Sequence, residues 1–580
     1  MGVFSCFLLG ALCILTKKIP KTGQGIDKCV KRFYNKRIRG RPFPDIWEVL
    51  MKLRLLSLSL VFVLLLPMLF ACGGSDDVTT PAGTTSGDGG GDVTTAPVIE
   101  GPLVDNIDLT GTTIRVVQNT ELYRDVMESG AYSPLLFSKG PDEEEYDQYA
   151  TNAVFAEVYN RNNEIYEKTG LAVEYTTVTF ERAWADIITH IEAYALSDMD
   201  DAPDIVSHMK GSLSQAGVLG YLYNLYEDEC GTNYFDFTHE SWYLDMMKND
   251  SWSDEVIYVM CSDYWIELVR CASPVLVNIS MYNDLFEVEG GIEQLYKDID
   301  DGWWAVDDLF SRAAMAYEGK GSGSAFNQED TFGLISNSYQ FQSLVQTSGL
   351  HPCVFDENGK IVQGTGEVLT KIHNFIDKMI SWQNDDSVWF NYDKMLPKEV
   401  GCIHKFAAGG SLFTIGNAVA SLEGALLQDA DDIYGVLPTP KGEYDDLGPT
   451  YKVSVSNPLA GGILINSDMF SECSAFAQMQ TEGSTEVMRL YFEEGLQLKN
   501  NMDNSVGQVR MLDYVREGIM RHDGLKMAEP QNLEGYVSYS VIIRNCVLNG
   551  TNTFSSDWAA GVKAREEAIR QSYEAYAPKD

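Results

Sequence analysis

The sequence predicts an α/β protein. Strands and helices alternate over the first hundred residues of the folded part, strand character returns late in the chain, and no repeat of about 20 to 50 residues is present. From Leu103 to Asp580 the chain is long enough for two domains or more. Apolar residues make up 45% of the sequence and aromatic ones 11%, ample for real cores. Residues 113–117 (Thr113-Ile114-Arg115-Val116-Val117) form a β-branched run. Residues 148–168 have the apolar spacing of an amphipathic helix, closed by Gly170 as a left-handed cap. Residues 171–178 alternate as a strand, 180–196 return to helix, and 204–207 are a further strand. This order predicts a largely parallel sheet, whose ligands gather past the carboxyl ends of the strands, here at 118–121 and 208–210. Residues 256–260 and 274–279 have the character of short buried strands, and 282 to about 398 is mainly helical. Strand character returns at 435–438 and 461–466, and 558–575, rich in Ala and Glu, has high helix propensity.

Ahead of the folded part, Lys52 and Arg54 precede an apolar run, 55–70, that ends in Ala71-Cys72. The run is shorter than the ~20 residues a membrane span needs, so it has the form of a secretory signal. A cysteine directly after the cleavage point resembles the lipobox of bacterial lipoproteins, in which that thiol is acylated; Phe70 departs from the small residue usual there. The alternative is an ordinary signal whose cysteine is accidental. A signal must sit at the amino terminus, so translation is expected to begin at Met51, with residues 1–50 a mis-called extension. The competing reading of 1–50 is an extra membrane segment with a basic loop. Residues 73–96, dominated by Gly, Thr, Ser and Asp without an aromatic residue, are expected to form a flexible tether. The segments are then 51–71 signal peptide and 72–102 lipidated Cys72 with its tether.

The whole chain carries a net charge of -41, and the part after Cys72 is more negative still because the leader is basic. Such a surface repels nucleic acid and anionic lipid, and no basic patch survives past the signal. Beyond Cys72 the cysteines (230, 261, 271, 353, 402, 473 and 546) are odd in number, irregular in spacing and without a Cys-x-x-Cys pair. Neither a metal site nor a disulfide framework follows from them, and no cofactor is expected. No Gly-x-Ser-x-Gly elbow, Walker loop or His-Glu-x-x-His is present.

Four phrases occur in order. The first is Ala202-Pro203-Asp204-Ile205-Val206 with Gly217-Val218-Leu219 and Leu222-Tyr223-Asn224-Leu225. The second is Val256-Ile257-Tyr258, then Val275-Leu276-Val277-Asn278 and Asp284-Leu285-Phe286. The third is Gly302-Trp303-Trp304 with Asp307-Asp308-Leu309, where Ala305 stands in place of the usual Thr. The fourth runs from Phe406 through Gly409-Gly410 to Phe413, followed by Tyr434-Gly435-Val436-Leu437-Pro438-Thr439-Pro440-Lys441-Gly442. Together they resemble the extracellular solute-binding proteins of bacterial ABC importers, in the branch that includes maltose-binding protein (family 1).

That resemblance implies a two-lobed periplasmic-binding-protein-like fold of type II, with the hinge crossed more than once and the ligand in the cleft. By position, lobe 1 spans 103–273 with 459–508, and lobe 2 spans 278–453 with 512–580. Segments 271–277 and 454–457 are the hinge candidates. Positions matching the family's binding loops are Asn119, Glu121, His208, Lys210, Trp265, Glu267, Tyr339, Gln340 and Asn417. Sugars are held by aromatic faces and planar polar side chains, which these residues supply. Each also has a plain structural role open to it: Trp265 suits core packing, His208 a satisfied surface position, and Glu121 a helix cap. His208 stands where maltose binders often place a stacking Trp, which argues against maltose itself. Trp303 and Trp304, at a helix start, suit packing.

The function so implied is a lipid-anchored monomer at the outer face of the membrane, or in the periplasm of a two-membrane cell. It would capture a small polar solute, an oligosaccharide, for the membrane subunits of an ABC permease, without enzymatic turnover and without nucleic acid. Two other classes fit the sequence: an extracellular carbohydrate-active hydrolase, and a lipoprotein that presents ligand to a membrane sensor.

Overall fold

The computed structural model describes residues 104, 107–119, 138–178, 187–197, 202–226, 231–249, 256–319, 329–336, 342–356, 361–385, 388–391, 402–416, 419–423, 425–443, 448–455, 459–497, 502–520 and 539–575. The signal, Cys72 and the tether lie outside them. Among the described residues no helix is long and apolar enough to cross a membrane.

Two sheets form two α/β lobes with a core behind each, and Leu276, Tyr434 and Val436 of the second sheet pack into the first core. In the first, β1 (Thr113–Asn119) pairs in parallel with β2 (Ala172–Val178) and β3 (Ile205–Met209). β13 (Leu459–Ile463) returns antiparallel along β3, giving the order β13-β3-β1-β2. Between β1 and β2 runs the helix Ala153–Thr169. Its cap Asn152 accepts the Val154 and Phe155 N–H groups at 3.1 and 3.4 Å, and Gly170 closes it at φ 72°. The expected unbroken helix over 148–168 is therefore split. Tyr146–Tyr149 forms one short turn, and Asn152, extended at φ -96° and ψ 109°, restarts the chain so that its side chain can cap. Val154, Phe155, Val158 and Ile165 then seal against the sheet.

Asp204, the acid of the first phrase, is buried at the opening of β3. Its Oδ2 accepts from Arg115 N at 2.9 Å and its Oδ1 from Ser467 Oγ at 2.7 Å, tying β1, β3 and the end of β13 together. Residues 256–260, expected as a strand, are an extended segment with a single bridge, Met260 to Gly461. The Ile257 N–H bonds to the Asn224 side chain at 3.0 Å instead of a neighbouring strand, which ends any ladder there.

The second sheet has the order β11-β5-β10-β6-β9, built from β5 (Val275–Asn278), β6 (Phe332–Ser336), β9 (Trp389–Asn391), β10 (Ser411–Ile415) and β11 (Tyr434–Leu437). β6, β9 and β10 run parallel, whereas β5 is antiparallel to β10 and β11. Strands β6 and β9, and the small hairpin of β7 (Cys353–Phe355) with β8 (Ile361–Gln363), correct the mainly helical reading of 282–398. β6 is buried at every position, so it lacks the alternation that would mark it. Trp304 belongs to this core: its Nε1 donates to Pro438 O at 2.9 Å, while Lys441 N donates to Trp304 O at 3.0 Å. The third and fourth phrases thus clasp each other, and neighbouring Trp303 is exposed. Asp308 Oδ2 still accepts from Ala305 N at 2.9 Å, the half of a capping box that needs no Thr.

The hinge candidates lie side by side. β4 (Ala272–Ser273) and β12 (Ser454–Val455) form an antiparallel ladder, with Ser273 opposite Ser454. The further crossing expected between 508 and 512 falls inside one helix, Val506–Met520. Its Leu512, Val515 and Ile519 join the first core, while Met511 and Tyr514 join the second. The expected helix 558–575 breaks at Gly561 into Phe554–Ala560 and Val562–Ala575.

Candidate functional site

The carboxyl ends of β1 and β3 are adjacent, with Gln118 opposite Ser207. β3 ends at Met209 and Lys210 opens the helix Lys210–Val218, so His208 lies at the end of the strand and Lys210 at the start of the helix. The segment 265–270 packs across these ends. Trp265 Nε1 donates to Ser207 Oγ at 3.0 Å, and the indole lies against β13, where a Cβ on Gly461 would meet its Cζ2 at 2.1 Å. Trp265 is 1% exposed, and in this conformation it is a core side chain.

Glu267, fully buried, anchors the returning chain. Its Oε1 accepts from Ser138 N at 3.1 Å and Ser138 Oγ at 3.4 Å, while Gln118 Nε2 donates to the same Oγ at 2.9 Å. Arg161 reaches this point from its helix. Its Nη2 donates to Ser138 O at 2.9 Å, its Nη1 to Ser484 Oγ at 2.8 Å, and its guanidinium covers the Tyr264 ring at 5.2 Å. Two buried acceptors in this cluster, Gln118 Oε1 and Glu267 Oε2, have no partner among the described residues. Burial pushes the Glu267 carboxyl above its ordinary range, against the pull of Arg270 and the Ser138 donors. Burial likewise pulls the His208 imidazole down to about 3, so it is neutral at physiological pH.

On the far side of the same segment, Arg270 grips Glu423 through two bonds of 2.8 Å, Nε to Oε1 and Nη2 to Oε2. Tyr491 OH donates to Oε1 at 2.6 Å. Glu423 ends the 3-10 helix Val419–Glu423, which follows β10 of the second sheet.

The structure thus brings His208, Lys210, Trp265 and Glu267 together at one end of the first sheet. Asn119 is the last residue of β1, and its side chain lies outside the described part, as do Glu121, Tyr339, Gln340 and Asn417. Gln118 lies in the segment 118–121 that the sequence marked as ligand-gathering, but sequence reasoning missed Ser138, Arg161, Arg270, Glu423 and Tyr491. Arg161 was traceable: it falls on the buried face of the Ala153–Thr169 helix, a charge where the spacing calls for an apolar side chain. Among the described residues no group of three His, Cys, Asp or Glu is placed to hold a metal, and the six described cysteines are all buried.

No family model matches the chain, and no curated protein matches it in sequence. Solved structures similar to it over most of its length include the maltose/maltodextrin-binding domain of Bdellovibrio bacteriovorus bound to maltotriose. That match has 13% identity and a TM-score of 0.42, covering 79% of this chain and 100% of that one. The sugar-binding protein of Xanthomonas citri matches at 12% identity and TM-score 0.44, covering 80% and 98%. The extracellular solute-binding protein of Staphylococcus aureus in complex with maltose matches at 10% and 0.44, covering 80% and 99%.

Proposed function

We propose that the protein is an extracellular solute-binding protein of an ABC importer, lipid-anchored at Cys72, that captures a small polar ligand, an oligosaccharide, between its lobes. One observation carries the reading. The strand ends of lobe 1 converge on a buried polar cluster in which two acceptors, Gln118 Oε1 and Glu267 Oε2, have no partner among the described residues, and Glu267 lies five residues before the crossing strand β4. Acceptors in such a place suit hydroxyl donors, the group a sugar has in excess. His208, neutral, offers a planar polar face, and Lys210 a donor. Asn119, Glu121, Tyr339, Gln340 and Asn417 complete the proposed site by their match to the binding-loop positions of the family the sequence resembles, with buried Trp265 packed behind it.

Closure about the β4–β12 ladder would bury the ligand, and the closed, ligand-filled form would be what the permease recognises. The four ordered phrases support this class, and the signal with its tether supports the anchored location. The test is a thermal-shift screen of mono- and oligosaccharides: a ligand at 100 times its Kd stabilises by ~2.7 kcal/mol. A shift with peptides or other solutes and none with sugars removes the carbohydrate assignment. Release of reducing ends from a glycan incubated with the protein would replace binding with hydrolysis.

A further inference from the structure

The Arg270–Glu423–Tyr491 cluster joins side chains from the two lobes. Arg270 ends the helix Ile266–Arg270, in the first core, two residues before the first crossing strand. Tyr491 opens the π-helix Tyr491–Gln497, and its ring is part of that same core. Glu423 arrives from the other lobe, on the 3-10 helix that follows β10, and Val419 and Leu422 of that helix are buried against the first core. The Arg270 side chain is 3% exposed and that of Glu423 14%, so the pair is shielded from water and salt. Its geometry is the two-pronged guanidinium–carboxylate fork, with the Tyr491 hydroxyl filling a third position. Burial and the Glu423 charge both push the Tyr491 hydroxyl well above its ordinary range, so it stays a donor.

We propose that Glu423 is a latch: a lobe-2 carboxylate that lobe 1 grips to hold the two lobes closed in the absence of any captured solute. Parting the lobes withdraws the 3-10 helix and leaves the guanidinium in a site built for a carboxylate. Separating the pair is costly because the guanidinium, 3% exposed, would stay buried without the carboxylate that compensates its charge. Val419 and Leu422 add apolar surface to the same closing face. The latch therefore biases the resting protein toward the closed arrangement, and a solute must enter during excursions in which the fork has let go. This does not depend on which solute is captured, and it stands or falls separately from the carbohydrate reading.

The test needs no ligand. Spin labels on encoded reactive residues at exposed Glu164, on the lobe-1 helix Ala153–Thr169, and exposed Glu367, on the lobe-2 helix Glu367–Gln383, report the separation of the lobes in the full chain. The unmodified protein is expected to show one dominant short distance. Glu423→Gln keeps the shape and removes the charge, and it is expected to move the dominant population to a longer distance. Tyr491→Phe removes one bond and is expected to shift a minority, at least a few-fold above the unmodified protein. If Glu423→Gln does not fold, Glu423→Asp, which shortens the reach, takes its place with the same expectation. A distance distribution unchanged in both the folded Glu423 variant and Tyr491→Phe overturns the latch. So would an unmodified protein already dominated by the long distance.

Discussion

The two lobes bury different things. Lobe 1 places ionisable groups directly behind its sheet: His208 and Glu267 at the strand ends, Arg161 and Arg270 beside them, and Asp263 held by Tyr243 OH at 2.6 Å and Arg516 at 3.3 Å. Lobe 2 packs aromatic rings there instead. Phe310 stacks on Trp382 with centroids 5.2 Å apart, and Trp304 and Trp389 spend their N–H groups on Pro438 O and Ser336 Oγ. Its buried ions, Asp330, Lys441 and Arg565, lie outside the strands. The difference is one of roles. Lobe 1 holds polar groups ready at a cost in desolvation, and lobe 2 supplies a rigid apolar body that delivers Glu423 to it.

This contrast predicts that damage to lobe 2 is a packing loss indifferent to pH, whereas damage to lobe 1 has an electrostatic signature. Trp304→Ala, which empties a fully buried site, is expected to cost about 3 to 5 kcal/mol in a urea melt, equally at pH 5 and pH 8. A loss that varied with pH would break the contrast at its strongest point. Gly461→Ala drives a Cβ into Trp265 and is expected to destabilise by about 1 to 3 kcal/mol. If the variant melts like the parent, Trp265 is free to swing and is not core. His208 carries the electrostatic half of the contrast. Its pKa is about 3 folded against an ordinary 6.5, so its contribution is present above pH 6.5 and lost as pH falls toward 3. At pH 5 that loss is about 2 kcal/mol, and His208→Asn is expected to remove it, read as a flatter stability–pH curve. An identical slope in the variant would place the acid sensitivity elsewhere. Asn152→Ala should cost only ~1 kcal/mol, since it removes one helix cap at the edge of lobe 1. A much larger loss in thermal melts would show that the break before this helix positions Arg161 and the cluster above it.

Much of lobe 1 was legible because its strands carry local signals. β1, β2 and β3 alternate with helices, Gly170 marks a helix end, and the Ala202 to Val206 phrase leads straight into β3. Lobe 2 was harder. β6 and β9 are short, and β6 is buried at every position, so neither shows a period of two. Residues 256–260 failed in the opposite direction: the pattern suits a strand, but the Asn224 side chain takes the Ile257 N–H that a ladder would use. At the site, the segment 208–210 could be picked out because it follows a recognisable strand, whereas Glu267 was reached only through the match to the binding loops of the family the sequence resembles. The Arg270–Glu423 fork could not, since 153 residues separate its partners and nothing local to either one announces the other.

The helix Val506–Met520 gives teeth to both cores at once, Leu512, Val515 and Ile519 to one and Met511 and Tyr514 to the other. It works as a shared axle set between two wheels. Neither half of the molecule owns it, so a gene cut to express one lobe alone leaves that lobe with a missing wall whichever side keeps the helix. The pair is expected to be inherited, expressed and unfolded together, although two of the chain's crossings between them are strands only two residues long.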